Sequence, residues 1–288
     1  MLQRTISRRE ALTGLAVAAA IMPRRTMAAE TELTFGLTPV MLTNDLDLLH
    51  DLEDYLEKRL RHRIRLVLRR TYQEITALLL SGQLTAAWIC GYPFVVHRDS
   101  LSLIGVPVWH GEPLYQSYVI AAKDSPAESV WDLEGNIHAF SDPDSNSGHL
   151  VTWDLLVQRG RRPESFFSRT FYTYGHRNVV RAVASGLAQS GSVDGYVWDV
   201  LQQLEPGLTG ATKVVRRSEW LGFPPVAAAS AFLDTSAVEG LKSALLTMHE
   251  DQTGSRVLGM LRLDRFSEEK PTLFDPIAEK VLRVQKSG

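Results

Sequence analysis

The sequence predicts an α/β protein of two lobes with a cleft between them. Three observations carry that prediction. Short apolar stretches alternate with helix-period stretches in the order strand, helix, strand, helix, strand, which is the signature of a parallel sheet flanked by helices. The same alternation starts again after Ala122, and apolar helical sequence returns from Val226 to the end, so the chain crosses between the two units twice. The length of 288 residues, with 44% hydrophobic and 22% charged, suits one large or two small domains with a real core and excludes a disordered tail or a fibrous repeat.

Taken in order, the first segment is a candidate export signal, residues 1–29. A charged start containing Arg4, Arg8 and Arg9 precedes the apolar run Ala11–Met22, and small residues follow up to Ala29. The run is too short to span a bilayer, which needs about 20 residues. Ser7-Arg8-Arg9-Glu10-Ala11-Leu12 resembles the twin-arginine export motif, with Ala11 where a bulky residue is usual. Cleavage after Ala29 would remove five arginines and one glutamate, taking the net charge from −2 to −6. No cysteine follows the apolar run, so no lipid anchor is expected, and the mature protein is expected free in the periplasm as a monomer.

Leu33–Leu37 has the length and composition of a strand. Leu46–Leu60 reads as a helix with Leu46, Leu49, Leu52, Leu56 and Leu60 on one face. Ile64–Leu68 is a second strand, Tyr72–Leu80 a second helix and Ala86–Cys90 a third strand. The second unit begins after Tyr118–Ala122, with strands at Ile137–Phe140, around Phe167–Tyr174 and at Val193–Val197, and helices opening near Ser147 and spanning Asn178–Ser185. Gly222-Phe223-Pro224-Pro225 marks the return. Residues 30–120 with 225–288 are expected to form the first lobe and 121–224 the second, with Ile120 and Pro224 near the crossings. The basic run from Lys58 to Arg65 reads as a solvated helix end followed by a strand alternating Arg63 and Arg65 with Ile64 and Leu66.

Composition narrows the function. A single cysteine, Cys90, cannot form an intramolecular disulfide or a four-cysteine zinc site. Near-neutral charge gives no support for a nucleic-acid binder, and no cofactor motif is present. The segment Phe140-Ser141-Asp142-Pro143-Asp144-Ser145-Asn146-Ser147-Gly148 stands out: a strand ends, a turn follows and a helix starts. Hydroxyls and free backbone N–H groups at a helix start make an anion site, and Gly148 allows close approach of the backbone.

Asp142-Pro143-Asp144-Ser145-Asn146-Ser147-Gly148 resembles the Asp-Pro-x-Ser-Thr-Ser-Gly segment of the phosphonate- and phosphate-binding proteins of ABC importers. Gly175-His176, then Ala182-Val183 and Val193-Asp194, match further blocks of that family in order, and Thr71-Tyr72, Trp88-Ile89-Cys90-Gly91 and Tyr115 fall in place upstream. The resemblance covers roughly Leu33 to Val226. It implies a two-lobed periplasmic-binding-protein type II fold and capture of a small oxyanion, phosphate, phosphite or phosphonate, for an ABC permease. By the same resemblance Ser145, Asn146 and Ser147 hold the anionic oxygens, His176 donates from the opposite wall, and Tyr72 and Tyr115 line the cleft from the first lobe. Asn146 replaces the usual Thr. No acidic residue stands near Phe223, where aminoalkylphosphonate binders carry one, while Trp198 and Asp199 occupy the region of another acidic ligand group.

Cys90 ends the third strand, where α/β sheets present residues to ligands. A thiol there resembles the arsenite-sensing relatives, which signal to a membrane histidine kinase, and gives the alternative reading. Tyr92, Tyr196 and Trp198 are candidates either for the ligand or for the core. Ser147, His176 and Asp199 could be written as a hydrolase triad, but the nucleophile elbow Gly-x-Ser-x-Gly is absent and the order differs.

Overall fold

A computed structural model describes residues 32–38 and 46–287. The export segment, 1–29, lies outside them. Residues 31–288 make one compact unit. In chain order its elements are β1 (Leu33–Leu37), α1 (Leu46–Leu60), β2 (Ile64–Leu68), α2 (Tyr72–Leu80), β3 (Ala86–Trp88), α3 (Gly91–Val96), β4 (Leu101–Val108), β5 (Leu114–Tyr115), β6 (Ser117–Ala122), β7 (Ile137–Phe140), α4 (Val151–Val157), α5 (Pro163–Phe166) and β8 (Arg169–Tyr172). There follow α6 (His176–Ala184), β9 (Ser190–Asp194), α7 (Gly195–Leu204), α8 (Pro206–Thr209), β10 (Thr212–Arg217), β11 (Leu221–Gly222), β12 (Val226–Ala229), α9 (Ser236–Leu246), α10 (Gln252–Leu261), β13 (Arg265–Ser267) and α11 (Asp275–Lys286).

Two sheets organise the two lobes. The first has the order β13-β4-β12-β3-β1-β2 and the second β10-β6-β9-β7-β8. Strands β1, β2 and β3 run parallel, as the alternating sequence predicts, with Leu33 opposite Ile64 and Phe35 opposite Ala86. The expectation of a wholly parallel sheet is corrected: β12 inserts antiparallel between β3 and β4. Val226–Ala229, read as helical, is therefore a strand buried in the middle of the sheet, where four small apolar residues fit between two neighbours. The third strand also stops at Trp88, leaving Cys90 as the residue before α3.

The chain crosses between the sheets at Tyr115–Ser117 and again between Arg217 and Val226, and a short ribbon pairs Tyr115 with Leu221 at the crossings. A boundary at residue 120 would cut β6, which pairs with β9 from Ser117 to Ala121. Ile120 thus lies inside the second sheet, whereas Pro224 lies on the return crossing, its carbonyl accepting the Trp88 indole N–H at 2.8 Å. The sequence gives no mark of this because apolar alternation runs unbroken through Tyr118–Ala122.

Two further expectations shift. Helix α1 has the expected bounds, but its buried face is Leu48, Leu52, Tyr55 and Leu56, and Leu46 is exposed. Tyr55 sets that face, its hydroxyl donating to the Ala244 carbonyl at 2.5 Å. The stretch Val193–Val197, read as a strand, ends as one at Asp194, because the Asp194 side chain caps α7 by accepting the Val197 N–H. The basic run is solvated as expected, with Arg65 exposed between buried Ile64 and half-buried Leu66.

Candidate functional site

The Asp142–Gly148 segment leaves β7 and enters a helix through one wide turn. Leu150 N–H bonds the Ser145 carbonyl and Val151 N–H bonds that of Asn146, each five residues back, before the chain tightens into α4. Ser145 is the cap, its Oγ accepting the Gly148 N–H at 3.0 Å. Asp142 holds the preceding turn through the Asp144 N–H at 2.8 Å. Gly148 plays a different part from the close approach to a ligand expected of it. A Cβ there would lie 1.8 Å from Ser141 Oγ and 3.0 Å from the His176 ring, so the glycine lets the turn pack on its own lobe.

The first lobe meets this segment with the starts of two helices. Thr71 and Glu74 cap α2 reciprocally, at 3.2 and 3.0 Å, which fixes Tyr72 as its first residue. Tyr72 N–H then donates across to Asp142 Oδ2 at 3.2 Å. Cys90 precedes α3, and its Sγ accepts the Asn146 N–H at 3.2 Å. Tyr115, backed by Phe223 with ring centroids 5.5 Å apart, receives the Asn146 Nδ2–H at 2.8 Å on its hydroxyl.

His176 begins α6 and faces Tyr72, with Nε2 at 3.2 Å from the hydroxyl. Its Nδ1 accepts the Asp194 N–H at 3.0 Å. An acceptor Nδ1 in a neutral ring leaves the proton on Nε2, so His176 donates to Tyr72 and the Tyr72 proton is free for another acceptor. Burial keeps the ring neutral, lowering its pKa to about 3. Burial likewise raises Tyr72 and Tyr115 well above the usual phenol range and pushes the Cys90 thiol up to about 12.

Tyr72, Cys90, Tyr115, Ser145, Asn146, Ser147, Gly148 and His176 are thus brought together, all buried where the lobes meet. Four other candidates fall elsewhere. Trp198 is core: it stacks edge-on against Tyr118 and its indole N–H reaches Thr212 Oγ1 at 3.2 Å. Asp199 accepts the Tyr118 hydroxyl at 2.9 Å and lines a separate cavity of about 300 Å³ with Trp109, His110 and Arg262. Both were displaced by the early start of α7, which turns their side chains away from the site. Tyr92 is half-buried and influenced by Asp144; its backbone N–H, not its ring, turns to Cys90. Tyr196 ties the lobes together, its hydroxyl donating to the Leu261 carbonyl at 2.6 Å. The hydrolase triad is not assembled, since both His176 nitrogens are engaged by Tyr72 and Asp194 N–H.

Sequence reasoning missed Asp142 and Asp194, the two carboxylates of the cluster. Both are buried, and burial pushes Asp194 up to about 7. The Ser147 hydroxyl offsets part of the effect of burial on both Asp194 and Tyr115. Asp-Pro at a turn and Val-Asp-Gly before a helix were signals for both. Lys280 is the buried cation among the described residues, and it pairs with Asp154 and Glu219 away from the cluster. No group of acidic, histidine and cysteine residues among the described residues could hold a metal, and no helix there is long and apolar enough to cross a membrane.

Comparison with known proteins places the fold and the family. A binding-protein component of an ABC phosphonate transporter from Pseudomonas aeruginosa has the same fold with a TM-score of 0.81, at 20% identity, over 89% of this chain and 87% of that one. PhnD1 from Prochlorococcus marinus, solved in complex with methylphosphonate, gives 0.80 at 18% identity over 88% and 98%. A Xanthomonas citri protein solved with bound chloride gives 0.72 at 18% identity over 89% and 98%. The family model described as ABC transporter, phosphonate, periplasmic substrate-binding protein matches residues 35–273, and the chain belongs to that family.

Proposed function

We propose that this protein captures a small tetrahedral or pyramidal oxyanion, phosphate, phosphite or a phosphonate, and delivers it to the permease of an ABC importer. The observation that carries the reading is the buried meeting of the Ser145–Gly148 helix start with Tyr72, Tyr115 and His176 from the surrounding elements. With no buried cation in the cluster, the anion is held by neutral donors: the Ser145 and Ser147 hydroxyls, the Tyr72 hydroxyl and the amides of the wide turn. The methylphosphonate in the Prochlorococcus relative supports this ligand class. Nothing in the arrangement favours hydrolysis. The sensor alternative drew on the thiol, but a cysteine held near 12 is a neutral hydrogen-bond acceptor here, and the family match is to a transporter component. Export by the twin-arginine route and a monomeric periplasmic form belong to the same reading.

The test is a calorimetric screen of the mature protein against phosphate, phosphite, methylphosphonate and arsenite. Binding of at least one phosphorus oxyanion is expected, with Ser147→Ala weakening it about 10- to 100-fold, the worth of a hydrogen bond to a charged group. Binding of arsenite alone, or unchanged affinity in Ser147→Ala, would overturn the assignment.

A further inference from the structure

The donors and acceptors of the site can be matched almost completely. Asn146 N–H goes to Cys90 Sγ and its Nδ2–H to the Tyr115 hydroxyl. His176 takes the Asp194 N–H and donates to Tyr72. Ser145 Oγ takes the Gly148 N–H, and Asp142 takes those of Tyr72 and Asp144. One pure acceptor is left over. Asn146 Oδ1 is buried with no donor in reach among the described residues. Ser141 Oγ is also unpartnered, but it is a hydroxyl whose proton can turn, and it sits under Gly148. An amide oxygen has no such freedom.

A buried acceptor without a donor is unfavourable, and a ligand oxygen carrying only lone pairs would worsen it. A ligand that brings a hydrogen relieves it. The charges point the same way, since the Asp142 carboxylate lies in the cluster and no buried cation among the described residues offsets it. Two negative charges on a ligand would therefore be less welcome than one. The residue concerned is the one at which the Ser-Asn-Ser run departs from Ser-Thr-Ser: a threonine hydroxyl at this place could donate or accept, whereas Oδ1 can only accept.

We propose that Asn146 is a specificity-determining residue that selects oxyanions still bearing an O–H, whose hydrogen its Oδ1 accepts. The site then takes a hydrogen-bearing phosphonate, phosphite or phosphate monoanion and refuses sulfonates and sulfate of the same shape. This rests on the oxyanion reading above and names which protonation form that reading requires.

Methylphosphonate and methanesulfonate supply the test. In mildly acidic buffer both are tetrahedral monoanions of nearly equal size, differing in one O–H, so any titration of the protein is common to both. Calorimetry on the wild-type chain is expected to show methylphosphonate bound at least about a hundredfold more tightly, as for sites built to pair a ligand hydroxyl. In Asn146→Thr the ratio is expected to fall to within about tenfold, with the folded state checked by circular dichroism. A wild-type ratio under tenfold overturns the proposal whatever the variant does. That result is what an amide turned with Nδ2 towards the ligand would give. A large ratio unchanged in Asn146→Thr also overturns it, placing the discrimination on another group. If phosphate, phosphite and methylphosphonate all fail to bind the wild type, the oxyanion reading itself falls, and this inference with it.

Discussion

His176 donates its Nε2–H to the hydroxyl of Tyr72 at 3.2 Å, joining the first residue of α6 to the first residue of α2 across the meeting of the lobes. The direction is set by Asp194 N–H, which occupies Nδ1. Each helix start thereby positions the other, and the Tyr72 proton is left pointing at whatever acceptor shares the site. Tyr72→Phe removes that proton and strands the His176 donor. Oxyanion affinity is expected to fall about 10- to 100-fold in calorimetry, corresponding to about 1–3 kcal/mol, while each lobe keeps its core. Unaltered affinity would remove Tyr72 from the site.

The buried histidines should withdraw stability on mild acidification. His138, between the Ser190 and Ser192 hydroxyls at 2.8 Å each, and His176 are both held near 3 by burial, and burial lowers His149 as well. As pH drops through 6.5, the unfolded chain protonates all three histidines while His138 and His176 in the folded chain stay neutral. Asp194 opposes this: its folded value of about 7 against 3.8 gives stability that is present at low pH and lost as pH rises through 7. Burial raises Asp142, Asp144 and Asp199 in the same sense as Asp194. The histidine part is therefore isolated with His138→Asn, which removes one group protonated only in the unfolded chain between about pH 4 and 6.5. In urea unfolding at pH 5.0 and 6.0, wild-type stability is expected to fall more with acidification than that of His138→Asn, by up to about 1.4 kcal/mol per pH unit. Equal pH dependence in the two proteins would contradict it.

Asp154, one turn into α4, is clasped by Arg283 of α11 at 2.7 and 3.1 Å, with Lys280 at 3.5 Å and Lys280 also joined to Glu219. Asp154 and Lys280 are both buried. Asp154→Ala leaves a buried ammonium short of a partner and is expected to lower the unfolding free energy by about 3–5 kcal/mol. Adding Lys280→Met should recover part of that loss in the same denaturation assay. A loss in the double variant equal to or larger than that in the single one would mean the clasp is not the cause.

Cys90 should report opening of the lobes. The thiol is 2% exposed and pushed up to about 12, so a thiol reagent meets neither a thiolate nor a path to it while Asn146 N–H rests on the sulfur. Labelling is expected to be at least tenfold slower than in urea and slower still with a bound oxyanion. Labelling as fast as in urea would place the sulfur outside the site.

The elements themselves were legible because they are local. Leu33–Leu37, Leu46–Leu60, Ile64–Leu68, Tyr72–Leu80 and Ile137–Phe140 follow from residue period and length alone, and their bounds agree between sequence and structure. The turn after Phe140 was legible in part: Ser145 caps it as its residue type predicts, whereas Gly148, expected to admit a ligand, packs against Ser141. Trp198 and Asp199 were misjudged because Asp194 caps a helix three residues earlier than the apolar run suggests, and a cap is decided by a single side chain.

What the sequence determined by itself is the strand-helix alternation of the first unit, the strand Ile137–Phe140 and the capped turn after it, all fixed by interactions within a few residues. What only the tertiary structure decided is which of those groups face one another. Insertion of Val226–Ala229 between β3 and β4, the pairing of Tyr72 with His176 and of Asn146 with Cys90 and Tyr115, and the unpaired Oδ1 of Asn146 all join residues far apart in the chain. Such contacts depend on how the sheets and lobes close on each other, and no local period or propensity encodes that.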